Sequence, residues 1–194
     1  MTKEKWYRLV YDVLRPIGAL LYPQKFSGLE NIPEGPAIFC APHSNIADPI
    51  LISFALGRKT YAHHLAKAES KTTFVFGWLM KKAGSIFVRR GERDIDSFKQ
   101  CMHVLKAGEK LIVFPEGTRV HGDAVVEPKS GVIHMAARLH VPIVPIYIPR
   151  DKKLFHKVPT VVGKPYYPEI SDHRDYDRLA GELMERIWAL RPEG

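Results

Sequence analysis

Leu111-Ile-Val-Phe-Pro-Glu-Gly-Thr-Arg119 decides how the rest of this chain is read. The apolar run over 111–114 predicts a short buried strand, and Pro115 stops it. A carboxylate, a glycine and an arginine then leave the strand end at once. Ala37-Ile-Phe-Cys40, after the turn-rich 31–36, repeats the arrangement and delivers His43 just past a second strand end. In open α/β sheets ligands bind beyond the carboxyl ends of strands, so His43 and Glu116 are expected at one site.

Working outward, strands and amphipathic helices alternate. A helix is expected over 49–56, with Pro49 at its first position and Gly57 at its stop. A strand follows over 60–65, a helix over 70–82 and a strand over 85–88. Ile95, Phe98, Met102 and Leu105 mark a helix ending at Gly108. Beyond the opening stretch come a helix over 131–139, a strand over 143–148 and a further strand over 158–162. Pro145 argues that the 143–148 strand lies at an edge or carries a bulge. Leu179, Leu183, Ile187 and Leu190 mark a last helix. Such alternation implies an α/β fold: a single domain with a largely parallel central sheet flanked by helices, over 23–194.

Residues 1–22 form a separate unit, an N-terminal amphipathic helix. Trp6, Leu9, Val10, Val13, Ile17, Leu20 and Leu21 recur at helical spacing, while Arg8, Asp12 and Arg15 interrupt them and Pro16 is expected to kink the helix. The segment falls short of the ~20 apolar residues that cross a bilayer, and no small-residue cleavage site follows it. Two readings stay open: an interfacial helix with aromatic residues at the headgroup level, or a helix packed on its own domain.

Hydrophobic content of 45% and charged content of 26% exclude a disordered chain. The net charge of +8, from 29 Lys and Arg against 21 Asp and Glu, favours an anionic partner: nucleic acid, a bilayer face, or a ligand bearing phosphate. The alternative for the cluster around Lys81, Lys82, Arg89, Arg90 and Arg93 is a solvated face. Cys40 and Cys101 each sit in an apolar stretch, which points to buried free thiols. No histidine has metal-ligand spacing, so no metal is expected.

The reactive candidates are His43 and Asp48. A spacing of five puts them on different faces of a regular helix, but they meet if His43 lies in a loop and Asp48 opens the next helix. Asp48 is then also expected as the helix cap, and capping alone is the competing reading. As a pair, a neutral imidazole takes a proton from a hydroxyl while the carboxylate fixes the tautomer and steadies the imidazolium. In the second block Arg119 offers a bidentate fork for a phosphate and Gly117 permits close backbone approach. A Glu116–Arg119 ion pair is the alternative.

In order, His43-x4-Asp48, Gly84-Ser-Ile-Phe-Val-Arg-Arg90, Phe114-Pro-Glu-Gly-Thr-Arg119 and Val141-Pro-Ile-Val-Pro-Ile146 resemble the four blocks of the glycerolipid acyltransferases, the family of bacterial 1-acyl-glycerol-3-phosphate acyltransferase. Lys67 and Glu69 are similar to a lysine–glutamate dyad of that family, and Lys129–Gly131 to its lysine–glycine step. The resemblance spans about residues 26 to 165. It implies that His43 is the general base and Asp48 its partner. It also implies that Arg90, Glu116, Gly117 and Arg119 hold the acceptor's phosphate. The chain departs from the family pattern at Pro42, Asn45, Arg89 and Val120; Arg89 adds positive charge where aspartate is usual.

The resemblance implies acyl transfer from acyl-CoA or acyl-carrier protein to the hydroxyl of 1-acyl-glycerol 3-phosphate, without a cofactor and without nucleic acid. It places the protein at the cytoplasmic face of a membrane, peripherally, on an anionic surface. Acylation of another lysophospholipid or of glycerol 3-phosphate, a thioesterase or lipid hydrolase, and a non-enzymatic binder of anionic surfaces are the alternatives.

Overall fold

The computed structural model describes residues 2–68, 78, 80–88, 94–122, 124–172 and 175–192. Its described elements are α1 (Lys3–Leu21), β1 (Gln24–Ser27), β2 (Ala37–Cys40), α2 (Asp48–Leu56), β3 (Ala62–Lys67), β4 (Ile86–Val88), α3 (Ile95–Lys106), β5 (Lys110–Val113), α4 (Gly131–Leu139), β6 (Ile143–Tyr147), β7 (Val158–Val162) and α5 (Asp175–Ala189). The expected helix over 70–82 lies mostly outside the described residues; Trp78 and residues 80–82 are helical.

The strands form one seven-stranded sheet in the order β1-β7-β6-β2-β5-β3-β4. The five strands from β6 to β4 are parallel, whereas β7 runs antiparallel to β6 and carries β1 parallel to itself. The sheet is therefore largely parallel, as the alternation implied. Both faces are covered, so central strands read as unbroken apolar runs. Ile38, Cys40, Leu111, Val113 and Ile143 face the core under α3, α4 and α5, while Phe39, Ile112, Val144 and Ile146 face the opposite cluster, where Ile52 and Leu56 of α2 pack.

Pro145 does not mark an edge. All of β6 is buried, with β2 on one side and β7 on the other. The proline sits where β6 changes partner: its pairing with β2 ends at Cys40↔Pro145 and its pairing with β7 begins at Ile146↔Val162. Its missing N–H coincides with that change of partner, and its carbonyl accepts the Gly163 N–H at 2.8 Å.

The connections that follow β2, β5 and β6 emerge at one sheet edge, and the antiparallel β7 starts there. Helix α1 runs unbroken through Pro16 and lies against α2. Tyr7 donates to the carbonyls of Gly57 (3.2 Å) and Ser53 (3.4 Å), and the Tyr11 and Phe54 rings meet edge to face at 5.4 Å. Gly18 allows this approach. A β-carbon there would stand 2.3 Å from Cε2 of the buried Phe54 ring.

Gly18→Ala is therefore expected to lower the melting temperature. Overpacking of this kind costs roughly 1–3 kcal/mol, more than the ~1 kcal/mol that alanine gains in helix propensity. Thermal unfolding followed by circular dichroism checks this, and a variant more stable than the parent means that the Phe54 ring yields.

Candidate active site

His43 lies in the loop after β2, and Asp48 is the first residue of α2. Their contact is short: His43 Nδ1 is 3.1 Å from Asp48 Oδ2. That oxygen also accepts the backbone N–H groups of Ser44 and Asn45, each at 2.7 Å. An oxygen held by two amides is an acceptor, so His43 Nδ1 carries its proton towards Asp48, and Nε2 keeps its lone pair for a ligand.

Asp48 is not the helix cap that its position suggested. Ala47 occupies the cap position with no side-chain cap, and the carboxylate folds back onto the preceding loop. Its second oxygen, Oδ1, stands 2.8 Å from the ammonium of Lys152, whose side chain is 1% exposed. Lys152 also donates to Ser44 Oγ at 2.9 Å and to the Pro149 carbonyl. Burial pushes the Asp48 carboxyl up. The His43 hydrogen bond, the Lys152 charge and the Asn45 amide outweigh it and hold the group below the ordinary carboxylate value.

Glu116 is equally committed. One of its oxygens accepts the His43 backbone N–H at 2.7 Å, and the other pairs with the Arg150 guanidinium. Arg150 further donates to the carbonyls of Gly122 (3.2 Å) and Ala124 (2.9 Å) and lies over the Trp188 ring. The expected alternative of a Glu116–Arg119 pair is thus replaced by Glu116–Arg150. The loop after β5 is also tied to His43, whose carbonyl accepts the Val120 N–H at 2.7 Å and whose ring stacks on Phe114 at 4.2 Å. Gly117 turns this loop at φ +65°, a conformation that favours glycine.

His43 opens onto a cavity of about 220 Å³ lined mainly by apolar side chains, among them Val10, Leu14, Ile50, Phe54, Leu65 and Met80. Arg119 lines the same cavity and, among the described residues, has no carboxylate partner. Glu116 and Gly117 do not line it; Glu116 is 2% exposed. Of the four residues expected to hold a phosphate, Arg119 alone reaches the cavity among those described. Arg90 lies outside the described residues, together with Arg89, Arg93, Glu69 and the side chain of Lys67.

Three residues at this site escaped the sequence reading. Lys152 and Arg150 follow β6 in an irregular segment and meet partners about a hundred and about thirty positions away, so no periodicity marks them. His64 also lines the cavity. The Ser53 hydroxyl donates to the Pro49 carbonyl at 2.9 Å and so accepts from His64 Nε2 at 3.0 Å, which leaves Nδ1 without a hydrogen-bond partner among the described residues. Burial, and then the adjacent His63, hold the His64 pKa down to about 4, so the ring is neutral at pH 7.

A family model described as Acyltransferase matches residues 24–149. The chain belongs to the acyltransferase family. Over 124 residues it is 35% identical to a probable 1-acyl-sn-glycerol-3-phosphate acyltransferase of Mycoplasma pneumoniae, covering 61% of this chain and 46% of that one. It is 32% identical to a lyso-ornithine lipid O-acyltransferase of Pseudomonas aeruginosa, covering 69% of this chain and 50% of that protein. The chain thus spans about half the length of these curated relatives. The crystal structure of the 1-acyl-sn-glycerophosphate acyltransferase of Thermotoga maritima matches with a TM-score of 0.66 and 25% identity, over 99% of this chain and 80% of that one.

A buried carboxylate this heavily solvated by donors predicts a stability effect at Asp48. Asp48→Asn leaves the Lys152 ammonium buried without its counter-charge, and breaking such a pair costs about 3–5 kcal/mol. A carboxyl held down in the folded state stabilises above its unfolded value, about pH 4, and that contribution is lost as pH falls through the folded one. Urea unfolding should therefore show a large gap between parent and Asp48→Asn at pH 7 that narrows below about pH 4. A constant gap across that range means that Asp48 is not ionised in the folded protein.

Proposed function

We propose that the protein is a glycerolipid O-acyltransferase that moves a fatty acyl group from acyl-CoA or acyl-carrier protein to the hydroxyl of 1-acyl-glycerol 3-phosphate. One observation carries the reading: His43, with Nδ1 held by Asp48, opens onto an apolar cavity that Arg119 also lines. His43 Nε2 takes the proton of the acceptor hydroxyl as its oxygen attacks the thioester carbonyl. The C–S bond breaks, and the proton passes from the imidazolium to the departing thiolate sulfur. No covalent acyl-enzyme is needed, and the apolar cavity suits the acyl chain. Asp48 steadies the transient imidazolium and fixes its tautomer, while Glu116 and Arg150 hold the His43 backbone in place.

The acceptor's phosphate is assigned to Arg119, with Arg90 expected beside it from the sequence blocks. Glu116 and Gly117 then shape the binding loop without touching the phosphate. Helix α1 favours a peripheral membrane location. Its inner face packs on α2, while Leu9, Val13, Ile17 and Leu20 stay exposed along its outer face, Leu20 at 67%. The helix is thus docked on its domain, with Tyr7 buried and Tyr11 against Phe54 instead of at a headgroup level, and it still presents an apolar stripe to solvent. No helix among the described residues is long and apolar enough to cross a membrane. Contact from the cytoplasmic face of an anionic leaflet fits the +8 charge, each surface Lys or Arg adding roughly 1 kcal/mol.

Release of free thiol in the presence of a lysophospholipid panel, glycerol 3-phosphate and a lyso-ornithine lipid tests the reading. Thiol release that requires an acceptor supports transfer; release without one points to a hydrolase, and none with any acceptor points to a binder. His43→Ala is expected to lower turnover by roughly 10²–10⁴ with the fold intact, since a positioned base is worth that much. A folded His43→Ala protein with parental turnover ends the general-base assignment.

Arg119→Lys keeps the charge but loses the bidentate fork, so the acceptor KM should rise severalfold with little change for the donor. Equal changes for both substrates assign Arg119 to the structure of the loop.

A further inference from the structure

Between β6 and β7 the chain makes a four-residue turn, closed by the His156 N–H donating to the Lys153 carbonyl at 3.3 Å. Its two central residues are Leu154 and Phe155, 50% and 63% exposed. Phe155 has φ +63°, in the left-handed region. Turn tips that need this conformation ordinarily carry glycine, asparagine or aspartate, because those residues adopt it at least cost and are at home in water. A bulky apolar residue there is strained and exposed at once.

The surroundings of the turn point to a partner. The Phe155 N–H donates to the Leu21 carbonyl at 2.7 Å, so the turn is fastened to the end of α1, where Leu20 is exposed. Lys153 and Lys157 flank it and Lys25 lies on the neighbouring edge strand, all exposed. It also projects from the sheet edge that carries His43 and Glu116. An apolar tip ringed by lysines suits an anionic bilayer, with the rings and methyls below the headgroups and the ammonium groups among the phosphates.

We infer that the Lys153–His156 turn is a second membrane-inserting element, which with the outer stripe of α1 fixes the protein's orientation on the lipid surface by two points of contact. A single helix leaves rotation about its own axis free; a second point beside the active edge removes that freedom and turns the cavity mouth towards the bilayer. The inference rests on the peripheral-membrane reading of α1.

The full chain and the variant Leu154→Ser/Phe155→Asn are compared by co-sedimentation with phosphatidylglycerol-containing vesicles and with phosphatidylcholine vesicles. Asparagine tolerates the left-handed conformation, so the variant is expected to melt at the parental temperature or about 2–4 °C above it. Its affinity for the anionic vesicles is expected to fall roughly tenfold, as for the lost burial of one to two apolar side chains. Turnover of a short-chain acceptor below its micellar concentration should be unchanged, while turnover on vesicles falls. Polar substitution of Leu9, Val13, Ile17 and Leu20 should weaken vesicle binding as well, and the two sets combined should weaken it further.

A folded turn variant that binds anionic vesicles like the parent overturns the inference. So does one that loses affinity for acyl-carrier protein but not for vesicles, since the tip is then a protein-docking site. If the parent itself binds neither kind of vesicle, the peripheral-membrane reading falls, and the inference with it.

Discussion

The buried carboxylate of Asp48 is the constraint on which the active edge depends. It is fully enclosed, with 0% exposure, and its two oxygens collect donors from two other segments. The loop after β2 supplies the His43 ring and two backbone amides, α2 supplies the carboxylate itself, and the segment after β6 supplies Lys152. Glu116 does the same for the loop after β5, joining the His43 backbone to Arg150. A buried ion pair gives little net stability against an apolar replacement, because desolvating two charges is expensive. These two pairs act on geometry instead. Any other placement of the His43 loop strands a charge inside the protein.

The two cations come from one short bend after β6, closed by the Lys152 N–H donating to the Arg150 carbonyl at 3.1 Å. Arg150 and Lys152 flank exposed Asp151, and both of their side chains turn inward to the buried carboxylates. The position of β6 at the centre of the sheet makes this arrangement work. Because it lies beside β2 and near β5, the chain leaving it passes over both of their loops.

Much of the fold was legible in the sequence because its signals are local. Apolar runs such as 111–114 have one reading when both faces of a sheet are covered, and the helices carry their periodicity openly. Boundaries shifted by a residue or two, most at β3, which was expected over 60–65 and spans Ala62–Lys67. The His43–Asp48 pair was legible for the same reason, since five residues and a proline suffice to bring the groups together. The reading of Asp48 as a cap failed because a helix-opening carboxylate looks alike whether it turns forward to the helix or back to the loop. Pro145 misled because an interior strand tolerates a proline where its neighbours exchange, and that exchange is a property of strand order. Lys152 and Arg150 left no trace at all, because their partners are chosen by topology.

The placement of Arg150 and Lys152 bears on how much chain an active unit requires. The family match ends at residue 149, one position before Arg150 and three before Lys152. A graft that transplanted only the matched region into another scaffold would keep every recognisable block and orphan two internal carboxylates. Any transplant of the candidate site therefore has to reach at least residue 152, past the last block that carries a signature.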